Sequence, residues 1–434
     1  MSEIDEYLPR HLIPELEDAL ASARVVNLIG PRQVGKTTLV RDLFGHGHFV
    51  TLDDSPVLAA IDADPEGQLV SLMEDLESAP LIIDEAQRSK KLALVIKRVV
   101  DANRRKGQFV LTGSSNVFTT AEVADSLAGR MRTLKLWPLS AAEIKKVPVS
   151  RLMDWAMQRT PSLTQIADPE LASRRDYIEL ILTGGFPETR TLPLRSRQRQ
   201  YRDYIDAVVD RDVADVMPVR KPGSLRVLID QMAARTAQEI NVSELAKLTK
   251  LQRVTVDQYL DILIRLSLIT KLGAWTSGES KREIKQPKYH FVDTGIACAL
   301  RRFTDVTFSI DNNPEALGGL LESFVVGQLQ RALPMQDADY RLYHWRSADQ
   351  REIDIVADGG SQLALFEVKS SASVTMSDFR HLDWFAKEGP GRSRSCSGIV
   401  FYTGHKKLTF GENRFALPVS SLWGAVELGS SDAS

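Results

Sequence analysis

The chain has 434 residues, enough for about three domains at ~150 residues each, and its 43% hydrophobic and 26% charged residues are ordinary for a soluble globular protein. Such a composition excludes a disordered, collagenous or disulfide-stapled chain. The formal charge of −2 hides an uneven distribution: residues 1–145 carry −4, 146–189 carry −1, 190–302 carry +8 and 303–434 carry −5.

No run reaches the ~18 apolar residues that a bilayer span requires, and Met1-Ser2-Glu3-Ile4-Asp5-Glu6 is acidic where a signal peptide is basic. The expectation is a cytoplasmic protein with no membrane partner. Cys298 and Cys396 lie in no Cys-x-x-Cys or Cys/His cluster, which predicts packed thiols rather than a disulfide or zinc site.

Arg24–Ile29, Pro80–Ile83 and Gln108–Thr112 are short, continuously apolar and β-branched, as strands buried on both faces should be. Between the last two, Leu92–Val100 has the spacing of an amphipathic helix. Strands alternating with helices predict a parallel α/β sheet.

Gly30-Pro31-Arg32-Gln33-Val34-Gly35-Lys36-Thr37 fits G-x-x-x-x-G-K-[ST], directly after the first strand and before a helix that begins around Thr38. Glycines let backbone N–H groups wrap phosphates, and the helix turns its positive end toward them. Lys36 is predicted to hold the β- and γ-phosphates and Thr37 to ligate Mg²⁺. Leu81-Ile82-Ile83-Asp84-Glu85, 48 residues beyond Lys36, supplies carboxylates at the end of a neighbouring strand: Asp84 on the Mg²⁺ side, Glu85 as the base that polarises water. Ser114, Ser115 and Asn116 follow the third strand, where one of them is placed to position that water. Arg130, in Leu127-Ala128-Gly129-Arg130, is either an arginine that stabilises the transferred phosphoryl group or a surface residue after a turn.

Taken in this order, Gly30–Thr37, Leu81–Gln87, Thr112–Asn116 and Leu127–Arg130 resemble the motifs of an AAA-type P-loop ATPase over the first ~190 residues. They resemble in particular prokaryotic ATPases whose core precedes a conserved C-terminal domain of unknown function. The resemblance implies Arg130 as an arginine finger, with a homo-oligomer if it acts across a subunit interface. It also implies ATP over GTP, since no Asn-Lys-x-Asp motif is present.

From Pro138 to Pro187 the pattern turns helical, with Ser140-Ala141-Ala142-Glu143 matching a capping box. A boundary is placed after Thr183-Gly184-Gly185-Phe186-Pro187. The stretch 195–270 is almost wholly helical. Ser243 is expected to cap a short helix, and a second helix carries Val256, Tyr259, Leu260, Leu263 and Leu266 inward with Arg253, Thr255, Gln258 and Asp261 outward. A hairpin with its tip near Thr276–Ser280 and Lys281, Arg282, Lys285 and Lys288 on its return strand completes a winged-helix pattern. Winged helices contact DNA or dock proteins; the +8 balance points to DNA, and Arg195, Arg197, Arg199 and Arg202 either add to that field or form a solvated helix face or a contact for the ATPase core.

In the last third, Arg351–Ala357, a turn through Asp358–Ser361, and Leu363–Lys369 form a hairpin that places Asp354 opposite Glu367, with Lys369 on the same face. Two carboxylates and a lysine are the equipment of a Mg²⁺-dependent phosphodiesterase, Asp354 and Glu367 as metal ligands. The bland alternative is a cross-strand salt-bridge cluster. Together with Glu322 on a preceding helix, the set resembles the PD-(D/E)xK nuclease superfamily over roughly 315–403, with Ile353 in place of the usual proline.

The predicted architecture is α/β: an AAA-type P-loop ATPase core with helical lid (1–190), a helical and winged-helix middle (191–302) and a restriction-endonuclease-like domain (303–434). The leading functional expectation is a Mg²⁺-dependent ATPase coupled to DNA binding, with Glu322, Asp354, Glu367 and Lys369 carrying any cleavage. The rival is an ATP-operated switch or scaffold that recruits a protein partner through a catalytically silent nuclease-like fold.

Overall fold

The computed structural model describes residues 8–44, 48–74, 76, 79–89, 91–113, 127–213, 222–278, 286–309, 313 and 315–428. These group into two compact units: residues 10–138 with 265–267, and the remainder. The boundaries expected at 190 and 302 mark changes of sequence pattern inside the second unit.

The first unit runs α1 (Ile13–Ser22), β1 (Val25–Ile29), α2 (Lys36–Phe44), β2 (Phe49–Thr51), α3 (Ser55–Ala63), α4 (Pro65–Met73), β3 (Leu81–Asp84), α5 (Leu92–Ala102), β4 (Phe109–Gly113) and β5 (Met131–Lys135). Its five strands pair in the order β2-β3-β4-β1-β5, all parallel. Every residue of β3 and β4 is buried, which explains their unbroken apolar runs. On α5, Leu92, Ala93, Val95, Ile96 and Val100 recur on one face and close a core with Leu81, Ile83, Phe109 and Leu111 of the sheet. Truncating Ile96 to alanine would cost roughly 2–5 kcal/mol through the cavity left behind. One expectation is corrected: β3 is not the immediate neighbour of β1, because β4 lies between them. Each parallel crossover carries a helix and lands at a distance, so a later strand can fill the gap.

The second unit begins with the helix Ala141–Lys145, whose Ser140 and Glu143 form the reciprocal capping box. Helices Arg174–Thr183, Leu194–Ala207, Pro222–Ala234, Val242–Thr249 and Arg253–Arg265 follow. The cap of Val242–Thr249 is Asn241, not Ser243: Asn241 has extended backbone and its side chain accepts from the N–H groups of Ser243 and Glu244. Strands β6 (Gln238–Glu239), β7 (Ile269–Leu272) and β8 (Lys288–Phe291) form an antiparallel sheet in the order β6-β8-β7. The Gly184-Gly185 pair is a packing node. Asp293 caps the helix Thr294–Leu300 and also accepts from Gly185 N–H at 2.6 Å. Gly184 has φ +71, and a Cβ there would meet Asp293 Oδ1 at 2.1 Å.

The helix Ala316–Ala332 leads into β9 (Arg341–Arg346), β10 (Glu352–Asp358) and β11 (Gln362–Lys369), an antiparallel run; a helix, Arg380–Lys387, then returns the chain to β12 (Ser395–Tyr402), parallel to β11. β13 (Leu408–Thr409) and β14 (Arg414–Pro418) complete the order β13-β14-β12-β11-β10-β9. The sheet's core joins Ile353, Val356 and Leu365 to Leu382, Phe385 and Trp275. The whole chain is thus mixed α/β: a parallel sheet first, a helical middle, and a mixed sheet last. Cys298 and Cys396 are free thiols. No helix among the described residues is long and apolar enough to cross a membrane.

Candidate functional site

The loop between β1 and α2 is built from backbone conformations that bend sharply. Gly30 has φ +152, and a Cβ there would lie 2.1 Å from the Leu136 carbonyl oxygen, so only glycine fits. Gln33 and Gly35 also have positive φ, 62° and 92°. Buried Arg10 donates to the carbonyls of Val34 (2.7 Å) and Trp137 (2.6 Å), tying the loop to the chain after β5. No local signal marks Arg10, since it lies 20 residues before the motif. Lys36 is buried and donates to the Gly30 and Pro31 carbonyls at 3.0 and 2.8 Å. Thr38 is exposed in the first turn of α2.

Asp84, buried at the end of β3, accepts from Thr37 Oγ at 3.1 and 3.3 Å and from Thr112 Oγ on β4. The interposed strand makes this possible, since Thr112 pairs with Leu28 of β1 while β4's other edge faces β3. Thr112 is only 1% exposed, so water does not compete for the bond. Hydroxyl and carboxylate oxygens beside a phosphate loop are the hard donors that a magnesium ion takes. Glu85 follows in left-handed backbone (φ 53) and accepts from the Gln87 side-chain amide, which lies over Gly113. Burial, reinforced by Asp84 and opposed by Lys36, raises the Glu85 pKa above the ordinary carboxylate range. A carboxylate tuned upward is better matched to proton transfer near neutral pH.

Arg130 lies beside the start of β1, at the opposite end of the strands from the loop. Its carbonyl accepts from Arg24 and Val25 at the start of β1, whereas the phosphate loop leaves the end of that strand. The guanidinium grips Asp101 through Nε (2.6 Å) and Nη2 (2.9 Å). Within one chain it is therefore separated from the loop by the length of β1, about 17 Å for five residues. Ser114, Ser115 and Asn116 lie outside the described residues.

In the second unit the register Ile355↔Phe366 places Asp354 opposite Glu367. A bulge sits at that point: Ile353 pairs with Trp345 and Val356 with Tyr343, so Asp354 and Ile355 together face His344. Bulges re-aim side chains. Asp354 accepts from Val368 N–H at 2.9 Å, and Lys369 meets Glu367 at 2.7 Å. Burial and then Asp354 push Glu367 up to about 8. Glu322 comes from the helix Ala316–Ala332, and two residues absent from the expected set complete the cluster. Lys288 Nζ lies 2.9 Å from Glu322, 2.6 Å from Glu352 and 3.4 Å from Asp354. Lys288 had been expected on a solvent-facing wing; its side chain is 2% exposed and points inward, because β8 packs its Lys288 and His290 side on Glu322 and Ser323. The strand period of two from Asp354 was the available signal for Glu352.

The expected recognition helix exposes Arg253, Val254, Asp257, Gln258 and Asp261, and Arg253 pairs with Asp257 at 4.0 Å. Of the arginine series, Arg197 bonds Thr183 and Leu192 and Arg202 bonds Ala299, leaving Arg195 and Arg199 exposed. Lys281, Arg282 and Lys285 lie outside the described residues.

Three family models match the chain: an AAA domain over residues 22–145, a domain of unknown function (DUF8612) over 174–307 and another (DUF4143) over 317–422. Uncharacterized proteins of Mycobacterium tuberculosis and Mycobacterium bovis are each 30% identical over 371 residues, 85% of this chain and 75% of theirs. An uncharacterized protein of Methanocaldococcus jannaschii is 23% identical over 64% of this chain and 63% of its own. Among solved structures, a Signal Transduction ATPase with Numerous Domains (STAND) from Pyrococcus horikoshii aligns at TM-score 0.30 and 14% identity, over 76% of this chain and 48% of that one. The first unit is a nucleotide-binding AAA domain, and the chain belongs to the family of the mycobacterial proteins, with two domains of unknown function following that domain.

Proposed function

We propose that the protein is a Mg²⁺-dependent ATPase whose nucleotide cycle serves its C-terminal half. The observation that carries this is the oxygen cluster of Thr37, Asp84 and Thr112 beside the Lys36 loop, with Glu85 tuned upward next to it. Gly30–Thr37 and Thr38 would cradle the phosphates, Lys36 would exchange its carbonyl partners for phosphate oxygens, and Thr37 and Asp84 would hold the metal. Bound Mg²⁺ supplies charge neutralisation on the phosphates. Glu85 takes the proton of the attacking water. Arg130 would serve a neighbouring subunit, because its place at the far end of the strands excludes its own loop; that reading entails a homo-oligomer. Phosphate release tests the proposal: Glu85→Gln should retain ATP binding and lose turnover, and Lys36→Ala should lose both. Wild-type turnover by Glu85→Gln would refute the assignment.

The partner of the C-terminal half is proposed as DNA, on the +8 balance of residues 190–302 and the exposed Arg195 and Arg199. The second reading, an ATP-operated switch that recruits a protein, is favoured by Asp257 and Asp261 on the exposed helix face, since carboxylates there repel phosphates. DNA binding that weakens steeply with salt and fails in Arg195→Ala/Arg199→Ala supports the first. Absence of binding to single-stranded, duplex or branched DNA supports the second.

A further inference from the structure

The cluster of Glu322, Glu352, Asp354 and Glu367 has the residue types of a PD-(D/E)xK metal centre, but its geometry does not fit a divalent ion. The point where carboxylates from one helix and one strand converge is taken by Lys288 Nζ, within 2.6–3.4 Å of Glu322, Glu352 and Asp354. An ammonium has three N–H donors, and here three carboxylates meet it. Magnesium demands near-octahedral oxygen at about 2.0–2.1 Å and would have to share the space with a positive charge.

The lysine is not a loose visitor. Its backbone pairs with Glu239 of β6 and Leu272 of β7, so both edges of β8 are held where Lys288 begins it. Its side chain is 2% exposed. Glu322, Glu352 and Asp354 close around its ammonium from the helix and from β10. Among the described residues, no group of His, Cys, Asp and Glu is arranged to hold a metal ion.

We propose that Lys288 stands in for the divalent cation of this nuclease-like centre, so that the C-terminal module is locked as a metal-free binding platform and does not cut phosphodiesters. The inference rests on the nuclease-like reading of residues 315–403 and is independent of ATP hydrolysis. The ammonium joins the three-stranded sheet to the helix Ala316–Ala332 and to β10 by charge, as the cation of an active centre joins its own ligands. Lys369, paired with Glu367, then has no activated water to orient.

The test is Mn²⁺ binding to full-length, nucleotide-free protein, read by electron paramagnetic resonance, with wild type, Asp354→Asn, Lys288→Met and the double variant. Wild type should show no Mn²⁺ site that Asp354→Asn removes. Lys288→Met should gain one site, lost again in the double variant. A wild-type site that Asp354→Asn abolishes, or Mg²⁺-dependent DNA cleavage abolished by the same change, would overturn the proposal. So would a folded Lys288→Met protein that takes up no additional ion. Should Lys288→Met not fold, the comparison of wild type with Asp354→Asn still decides. Phosphate release by the same wild-type preparation reports separately on the nucleotide site, so failure there leaves the metal result readable.

Discussion

Thr112→Val is the sharpest probe of the nucleotide site. It replaces one γ-branch by another of nearly equal volume inside β4, where Thr112 is 1% exposed, and deletes only the hydroxyl that donates to Asp84. Asp84 keeps its bonds from Thr37 at 3.1 and 3.3 Å but loses the contact that fixes its orientation from the β4 side. A hydrogen bond to a charged group is worth roughly 1.5–3 kcal/mol, and each 1.36 kcal/mol is tenfold in rate (about 10- to 150-fold here) if the bond is needed in the transition state. The expected result is a fall of that size in turnover, with more Mg²⁺ needed for half-maximal rate and ATP binding little changed. Thr112→Ser, which retains the donor, should stay within a few-fold of wild type. Phosphate release measured across a Mg²⁺ titration reads all three quantities. Wild-type turnover and Mg²⁺ dependence in Thr112→Val would refute the idea that β4 positions the metal-side carboxylate.

Arg130→Ala should lose hydrolysis while keeping ATP binding, with mixtures of the inactive Arg130→Ala and Lys36→Ala proteins regaining activity by complementation if the arginine acts between subunits. Its exposed bond to Asp101 predicts almost no change in Tm. Gly184→Ala combines a left-handed backbone with a Cβ placed 2.1 Å from Asp293 Oδ1; strain and overpacking together should cost roughly 2–5 kcal/mol, visible as a lower urea midpoint. His290 titrates well below its ordinary 6.5 because it is buried and flanked by Lys288 and His344. The unfolded chain therefore takes a proton that the folded one refuses. The stability it supports is present above pH 6.5 and declines as pH falls, by at most about 1.36 kcal/mol per unit. His290→Gln should flatten that decline in denaturant titrations, and an unchanged slope would count against it.

Short-range chemistry was readable in the chain itself. A phosphate loop is contiguous, its glycines answer to local backbone demands, and strands buried on both faces cannot hide their apolar runs. The pairing of Asp354 with Glu367 follows from the parity of a four-residue turn. The Ser140–Glu143 capping box spans one helical turn, and so does its signal. Where a cap had two polar neighbours to choose from, Asn241 and Ser243, the backbone angle decided, and spacing does not encode that angle.

Contacts between distant segments were settled by topology alone. β4 entering between β1 and β3 brought Thr112 to Asp84 and made a strand-end threonine part of the site. Arg10 reached the loop from before α1. Arg130 came to rest on Asp101, at the strand end away from the phosphate loop. The deepest reversal is Lys288: in the chain it belongs to a basic run destined for solvent, yet the packing of β8 on the helix Ala316–Ala332 turns it into a ring of carboxylates. Charge read along a chain counts residues, whereas the field at a site depends on which of them the fold removes from water.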